Sequence, residues 1–304
     1  GKSKVTVRHV LSHQAGLSNA MPENATLDIL CNFTYMKQFM ETSEPAHEPG
    51  TVTQYHYLTF AWICGGIIEE VTGVQYDVYL DKIISEGCGD SLELHTGGIS
   101  EKIDSADLAV LSMEKRGRSK TTETLSEKGE SDSTRDGQSK SRKAVLAKYQ
   151  GREQLLNPSI FNMKKVRKSK IPSANMHASA RALAKVFDSI ICQRSSILSK
   201  EIVDLGRNGK LTQHSGVEGE ALLVDAPSFG LGFQVHEFTM GFGMKARSIG
   251  HSGFGGSMAI AIPEKNLSIA LVINQLSPKS PARSKLLQII WDEFGLKAPS
   301  TIDT

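Results

Sequence analysis

The sequence predicts an α+β fold, an antiparallel sheet flanked by helices with a helical subdomain. Three observations lead there. Helical patterns cluster in the first third of the chain, two β runs joined by a short loop lie near its end, and an amphipathic helix follows them. A chain of 304 residues fits one large domain or two small ones. At that length it buries roughly 70–75% of its extended surface on folding.

The elements can be justified in order. Residues 5–13 read as a short amphipathic helix with Val5, Val7, Val10 and Leu11 apolar, Thr6 as N-cap and Gly16 as C-cap. Residues 27–40 carry a second helical pattern. Pro45 and then Pro49-Gly50 break the chain before residues 58–71, an apolar helix ending at Gly73 and expected to be buried, with Phe60 and Trp62 as core. Residues 77–85 supply a fourth helix through Val78, Leu80, Ile83 and Ile84. Residues 177–192 form another, with Ala180, Leu183, Val186, Phe187 and Ile190 on one face. Strand character follows over 229–238, then a Gly-rich turn around 240–243. Residues 257–262 and 267–274 are β runs joined by Pro263-Glu264-Lys265-Asn266, a loop suited to a hairpin. Residues 282–294 form the closing helix. No internal repeat is visible.

Composition divides the chain. From Ser112 to Lys143, 15 of 32 residues are charged and 11 are Ser or Thr, so burial cannot offset the ordering entropy. This stretch, 112–143, reads as a disordered, solvated insertion between a helical part (1–111) and a part holding the sheet and its flanking helices (144–304). The basic run Lys164–Lys170 reads as solvated surface in the same way, because no aromatics are interleaved in it.

Several function classes are excluded. A formal charge of +2 rules out the strongly basic surface of a nucleic-acid binder. The longest apolar runs, around 60–68 and 269–273, are far below the roughly 18–20 residues that span a bilayer, so the chain reads as soluble and globular. Cys31, Cys64, Cys88 and Cys192 have no metal-ligand spacing. Such sparse thiols favour a reducing, intracellular compartment, an organelle included, although two bridges remain open. Asn24, Asn32 and Asn266 head Asn-X-Ser/Thr triplets that occur at this frequency by chance. The first residues carry no signal peptide and begin with Gly rather than Met, which points to a chain that starts partway through a domain.

Three local patterns then line up. They are His9-Val10-Leu11-Ser12-His13-Gln14-Ala15-Gly16-Leu17, then Pro49-Gly50 followed by Tyr55-His56-Tyr57-Leu58-Thr59-Phe60, and finally Gly250-His251-Ser252-Gly253-Phe254-Gly255-Gly256-Ser257. In this order they resemble the serine β-lactamase-related family of class C β-lactamases, DD-peptidases and family VIII esterases. The resemblance runs from about Val5 to Phe294. The runs 55–66 and 172–187 are most similar to the β-lactamase-like region fused behind aarF-type kinase domains of plant proteins. The resemblance implies a β-lactamase/transpeptidase-like fold with its N-terminal part missing, no cofactor, a small-molecule ester or amide as substrate, and a covalently fused kinase-like domain as a possible partner.

The chemistry it implies is acyl transfer. A serine nucleophile needs a base, which a Lys three residues on can help supply, and a tyrosine shares protons with that Lys and the leaving group. A late strand offers a backbone N–H to the oxyanion, beside a side chain that orients the substrate. Tyr57 fits the tyrosine in register, with Tyr55 as the alternative, and His251 and Gly253 match the His-x-Gly triad. His214-Ser215-Gly216 repeats the tripeptide in a polar loop and reads as structural. His13 and Gly16 read as turn formers. Asn175 either caps the helix that follows it or lines a substrate cleft, with the cap favoured. The departure is the nucleophile, because the single Ser-x-x-Lys, Ser112–Lys115, follows the tyrosine motif and borders the charged insertion. The chain is therefore expected to be either an inactive fragment of a serine hydrolase or a non-catalytic ligand-binding or regulatory module.

Overall fold

The computed structural model describes residues 1–89, 92–101, 103, 107–113, 157–192, 197–209, 212, 228–277, 280–299 and 302. The first third is helical: α1 (Val7–Leu11), α2 (Leu27–Leu30), α3 (Phe33–Thr42), α4 (Thr59–Thr72) and α5 (Tyr76–Cys88). Two short strands follow, β1 (Leu94–His95) and β2 (Ser112–Met113). Next come α6 (Lys164–Lys168), β3 (His177–Ala178), α7 (Ala180–Ile191) and α8 (Lys200–Asn208). The strands β4 (Ser228–Phe229), β5 (Gln234–Val235), β6 (Glu237–Thr239), β7 (Lys245–Arg247), β8 (Ile249–Ser252), β9 (Met258–Ile262), β10 (Leu267–Leu271) and β11 (Gln275–Leu276) lead to α9 (Pro281–Glu293).

The main sheet has the order β10-β9-β8-β5-β4 with every pair antiparallel. Its inner strand β9 reads Met-Ala-Ile-Ala-Ile and is buried along its whole length, because both faces are covered. Met258, Ile260 and Ile262 join Leu287 and Trp291 of α9 in one core. On the other face Ala261 packs with Ile249, with Ile190 of α7 and with Val203 of α8. Alternation along a strand puts the large residues toward one helix and the alanines toward the other. A separate core of Leu30, Phe33, Met36, Met40, Trp62, Tyr76, Val166 and Ile171 holds the helical part together. Among the described residues no helix is long and apolar enough to cross a membrane, and all four cysteines are free thiols.

Local polar groups correct several element boundaries. The expected 27–40 helix is two helices, because Thr26 caps one by accepting from the Ile29 N–H and Asn32 restarts the other by accepting from Tyr35. Helix α1 starts as expected, with Thr6 and His9 forming a capping box, but ends at Ser12, four residues before Gly16. The 177–192 helix begins later, at Ala180, because His177–Ala178 pairs with β1, and Ser179 rather than Asn175 caps it. The expected 229–238 strand is three short strands. Helix α4 buries Thr59, Trp62 and Gly65, one stripe rather than its whole surface. The basic run at 164–170 is a working part of the helical subdomain, with Val166 in the core and Lys165, Lys168 and Lys170 paired to Asp28, Glu101 and Asp77. Of the charged insertion, Ser112 and Met113 form β2, which pairs in parallel with β11. Residues 114–143 lie outside the described residues, as does His214-Ser215-Gly216.

The helical part and the sheet meet along a polar seam. Segments 9–17 and 46–56 are laced together by N–H donors from Ala46 to the Gly16 carbonyl (2.9 Å), Gly50 to Gln14 (3.0 Å) and Gln54 to His13 (2.9 Å). His56 donates from Nδ1 to the Gln54 carbonyl (2.7 Å) and accepts the Leu17 N–H at Nε2 (3.2 Å). The sheet side closes α1 in turn: Gly232 N–H bonds the Leu11 carbonyl (2.9 Å) and the Thr212 hydroxyl bonds that of Ser12 (3.0 Å). At the centre the buried His13 ring lies 4.9 Å from Phe60 of α4 and 4.5 Å, edge-on, from Phe229 of β4.

Two predictions follow from these contacts. Helix α4 has no capping side chain of its own, and Ser173 supplies one from 112 positions away, accepting from Ala61 N–H (3.2 Å) and donating to the Leu58 carbonyl (2.9 Å). Ser173→Ala is expected to cost about 1 kcal/mol in urea unfolding, the usual worth of a cap. Burial also lowers the buried His56 and His236 to about 4, with smaller pushes from His47 on the first and from His251 and Arg283 on the second. Both are neutral when folded and charge when unfolded below the ordinary value of about 6.5. The unfolded chain then binds more protons, so this stability is complete above about pH 6.5 and lost as pH falls toward 4. The urea midpoint at pH 5 should lie clearly below that at pH 7, and an unchanged midpoint would contradict the assignment.

Candidate active site

Tyr55 lies in the extended segment that enters α4, and the chemistry of its neighbours explains its position. Thr53, Gln54 and His56 are all buried, so the segment cannot move without exposing or unpairing polar groups. Gln54 accepts a short hydrogen bond from the Ser18 hydroxyl, and His56 N–H reaches His13 Nδ1 (3.3 Å). The Tyr55 ring stacks on Phe229 with centroids 5.6 Å apart and planes 16° from parallel, and meets His13 edge-on at 4.9 Å.

Its hydroxyl lies 3.1 Å from Nε2 of His251, on β8 of the sheet. His251 Nδ1 is 2.8 Å from the Ser252 carbonyl, which can only accept, so Nδ1 carries the proton and Nε2 the lone pair. Tyr55 therefore donates and His251 accepts. Burial lowers the His251 imidazole below its usual range, partly opposed by the Ser252 hydrogen bond. It raises the Tyr55 phenol well above the usual value, with a smaller push from Tyr57. Both groups are neutral near pH 7: a phenol donor facing an imidazole acceptor.

The turn after His251 is fixed in several places. Gly253 N–H bonds the Ser257 carbonyl (2.7 Å), Ser277 N–H bonds Gly255 (3.2 Å), and Arg283 Nε bonds Gly256 (3.0 Å). Gly255 has φ +89°, and a Cβ there would lie 2.6 Å from Leu276, so a side chain is excluded on both grounds. Ser252 N–H is held by the buried Gln234 side chain (2.8 Å).

The remaining sequence candidates can now be placed. Tyr57 is 45% exposed, its ring 6.4 Å from that of Tyr55, and the bond to His251 is made by Tyr55. Gly253 sits beside His251 as expected, with its amide committed to the turn. Asn175 is buried and staples the 166–171 loop: Nδ2 donates to the Val166 and Ser169 carbonyls, and Oδ1 accepts from Ile171 N–H (3.1 Å). Its amide is thus used on backbone, a role neither the cap nor the cleft reading anticipated. Ser112 is exposed on β2, and Lys115 lies outside the described residues. His13 does more than form a turn, since it is the aromatic wedge of the seam. The sequence marked His13 and Phe229 separately, but no local spacing connects residues so far apart.

A Beta-lactamase family model matches residues 1–290. The chain is 28% identical over 290 residues to the Esterase/beta-lactamase LipL of Mycobacterium tuberculosis, covering 91% of this chain but only 60% of that protein's length. Among solved structures it is similar to a family VIII carboxylesterase, at TM-score 0.71 and 20% identity, covering 96% of this chain and 72% of that one. It is also similar to a penicillin-binding protein homologue from Caulobacter crescentus, at TM-score 0.63 and 25% identity, covering 91% and 67%. The antiparallel sheet clasped between helices, with a helical subdomain beside it, is the β-lactamase/transpeptidase-like fold. By this match over nearly its whole length, the chain belongs to the Beta-lactamase family.

Proposed function

We propose that this chain carries the tyrosine–histidine part of a serine-hydrolase site that cleaves a small ester or amide through an acyl-enzyme. The observation that supports it most is the 3.1 Å contact between Tyr55 and His251, which unites two of the three sequence motifs across 196 positions. In this reading Tyr55, rather than Tyr57, is the proton-handling tyrosine. As a serine oxygen attacks the carbonyl carbon, its proton passes to the Tyr55 oxygen while the Tyr55 proton moves to His251 Nε2. Collapse of the tetrahedral intermediate runs the relay backwards and delivers a proton to the leaving group. The first amide after His251 without an acceptor among the described residues is that of Phe254, and we assign it to the oxyanion in place of Gly253.

The nucleophile is assigned to a Ser-x-x-Lys in sequence outside these 304 residues. Ser112, the one serine here with a lysine three positions on, stands exposed on a strand rather than at the start of a helix. We also propose, on the resemblance of the runs 55–66 and 172–187 alone, that this unit is attached to an atypical kinase domain.

The reading is tested on the full polypeptide with a p-nitrophenyl ester. Tyr55→Phe is expected to lower kcat by roughly 10²-fold or more, the usual worth of a positioned proton-transfer group, and Tyr57→Phe to stay within about twofold of the parent. Equal losses in both variants would remove Tyr55 from this role. The relay needs neutral His251, so the rate should rise with pH and level off below the ordinary imidazole value, in keeping with the lowered His251. A fluorophosphonate should label the full polypeptide and leave residues 1–304 unlabelled by intact mass; stoichiometric labelling of residues 1–304 would put the nucleophile within them. A full polypeptide that neither labels nor hydrolyses would favour the non-catalytic, ligand-binding module instead.

A further inference from the structure

The strands β5–β6 and β7–β8 form one continuous hairpin. Gln234 faces Gly250, Glu237 faces Arg247, Phe238 faces Ala246 and Thr239 faces Lys245, so the register is centred on residue 242. At the tip, Met244 N–H bonds the Gly241 carbonyl (3.4 Å), with Phe242 at φ +56°, ψ +22° and Gly243 at φ +75°. Two consecutive positive φ values make this a type I′ turn, whose first central position favours Asn, Asp or Gly. Phe242 is a poor residue for it, because a bulky side chain in the left-handed region is strained. Nor does it gain burial: the ring is fully exposed, at 106%, and Met244 beside it is 56% exposed.

Strain and exposure of a large apolar ring are both unfavourable, and nothing among the described residues offsets them. Cationic residues lie along the same end of the hairpin. Lys245 and Arg247 share the single carboxylate of Glu237 (3.3 Å each), and the chain after α9 returns to place Lys297 against Thr239. Three cations and one carboxylate leave this end of the hairpin positive. A single protruding ring offers about 200 Å², far short of the roughly 1,200–2,000 Å² of a stable protein interface. A bilayer needs no matching pocket and accepts a narrow apolar tip flanked by cations.

We infer that the 241–245 hairpin tip docks this protein on an anionic lipid surface, with Phe242 and Met244 entering the headgroup–acyl boundary and Lys245 and Lys297 facing lipid phosphates. His251 lies nine residues along the strand from Phe242, about 30 Å at extended rise. Docking therefore leaves the Tyr55–His251 site away from the membrane, and the inference does not depend on the catalytic reading.

The test is vesicle co-sedimentation of the full polypeptide with pure phosphatidylcholine and with phosphatidylcholine containing about a third phosphatidylglycerol. The parent should partition onto the anionic vesicles and much less onto the neutral ones, with binding weakened by salt. Phe242→Asn places a favoured residue in the type I′ turn, so it should melt at the same temperature or higher while losing roughly tenfold or more of the partitioning. Absence of the parent from anionic vesicles, or equal binding by Phe242→Asn, would overturn the inference. So would a concentration-dependent dimer that Phe242→Asn abolishes, because the tip would then serve a second copy of the chain.

Discussion

The structure turns on a small set of buried, neutral histidines at the junction between the helical part and the sheet. His56 accepts the Leu17 N–H and donates to the Gln54 carbonyl, so each ring nitrogen is bonded and the ring has one possible tautomer. Its own N–H then fixes His13 through Nδ1, and the His13 ring fills the space between Phe60 and Phe229. A charged imidazole in this junction would lose solvation with no acid among the described residues to compensate. Neutrality is therefore a condition for closing the seam, and the seam is what carries Tyr55 to His251.

The same constraint shapes the chemistry. Tyr55 leads into α4, whose Trp62 packs with Met36 in one core, and His251 lies on β8, whose Ile249 packs with Ile190, Val203 and Ala261 in another. Two separately packed layers can hold a 3.1 Å contact only if the junction between them is stiff. The stacked Phe229 ring, the laced segments and the closed carbonyl end of α1 supply that stiffness. Low polarity around the pair keeps the phenol protonated and the imidazole unprotonated, the arrangement a concerted proton relay requires and a charged pair would prevent.

The two ends of the 234–250 hairpin have contrasting physical character. Toward His251 the chain is pinned by Gln234, Ser257 and Arg283, which hold the Ser252 and Gly253 amides and the Gly256 carbonyl. Toward Phe242 the backbone takes a strained turn and shows an apolar ring to water. Constraint at one end builds a site that must not move. Exposure at the other builds a surface feature whose cost is met outside the chain. Membership of the Beta-lactamase family accounts for the first end through the shared fold.

Much of this molecule was determined by local sequence. The Thr6 cap, the stop of α4 at Gly73, the apolar run of β9, the loop at Pro263–Lys265 and the glycine-rich turn of the hairpin all come from contacts within a few residues, so period and turn chemistry reveal them. The order of the three motifs likewise identified the fold and the pieces of the candidate site. Sequence register favoured Tyr57 with Tyr55 as the alternative, and it could not show that Tyr55 is the one that packs on Phe229 and His13 and meets His251, because those contacts come from distant parts of the chain. Nor could it show that Ser173 caps a helix 112 positions away, or that Asn175 spends its amide on the 166–171 backbone. Those are long-range hydrogen bonds whose partners share no spacing. They exist because burial leaves every polar group in need of a partner, and only the tertiary structure decides which one is near.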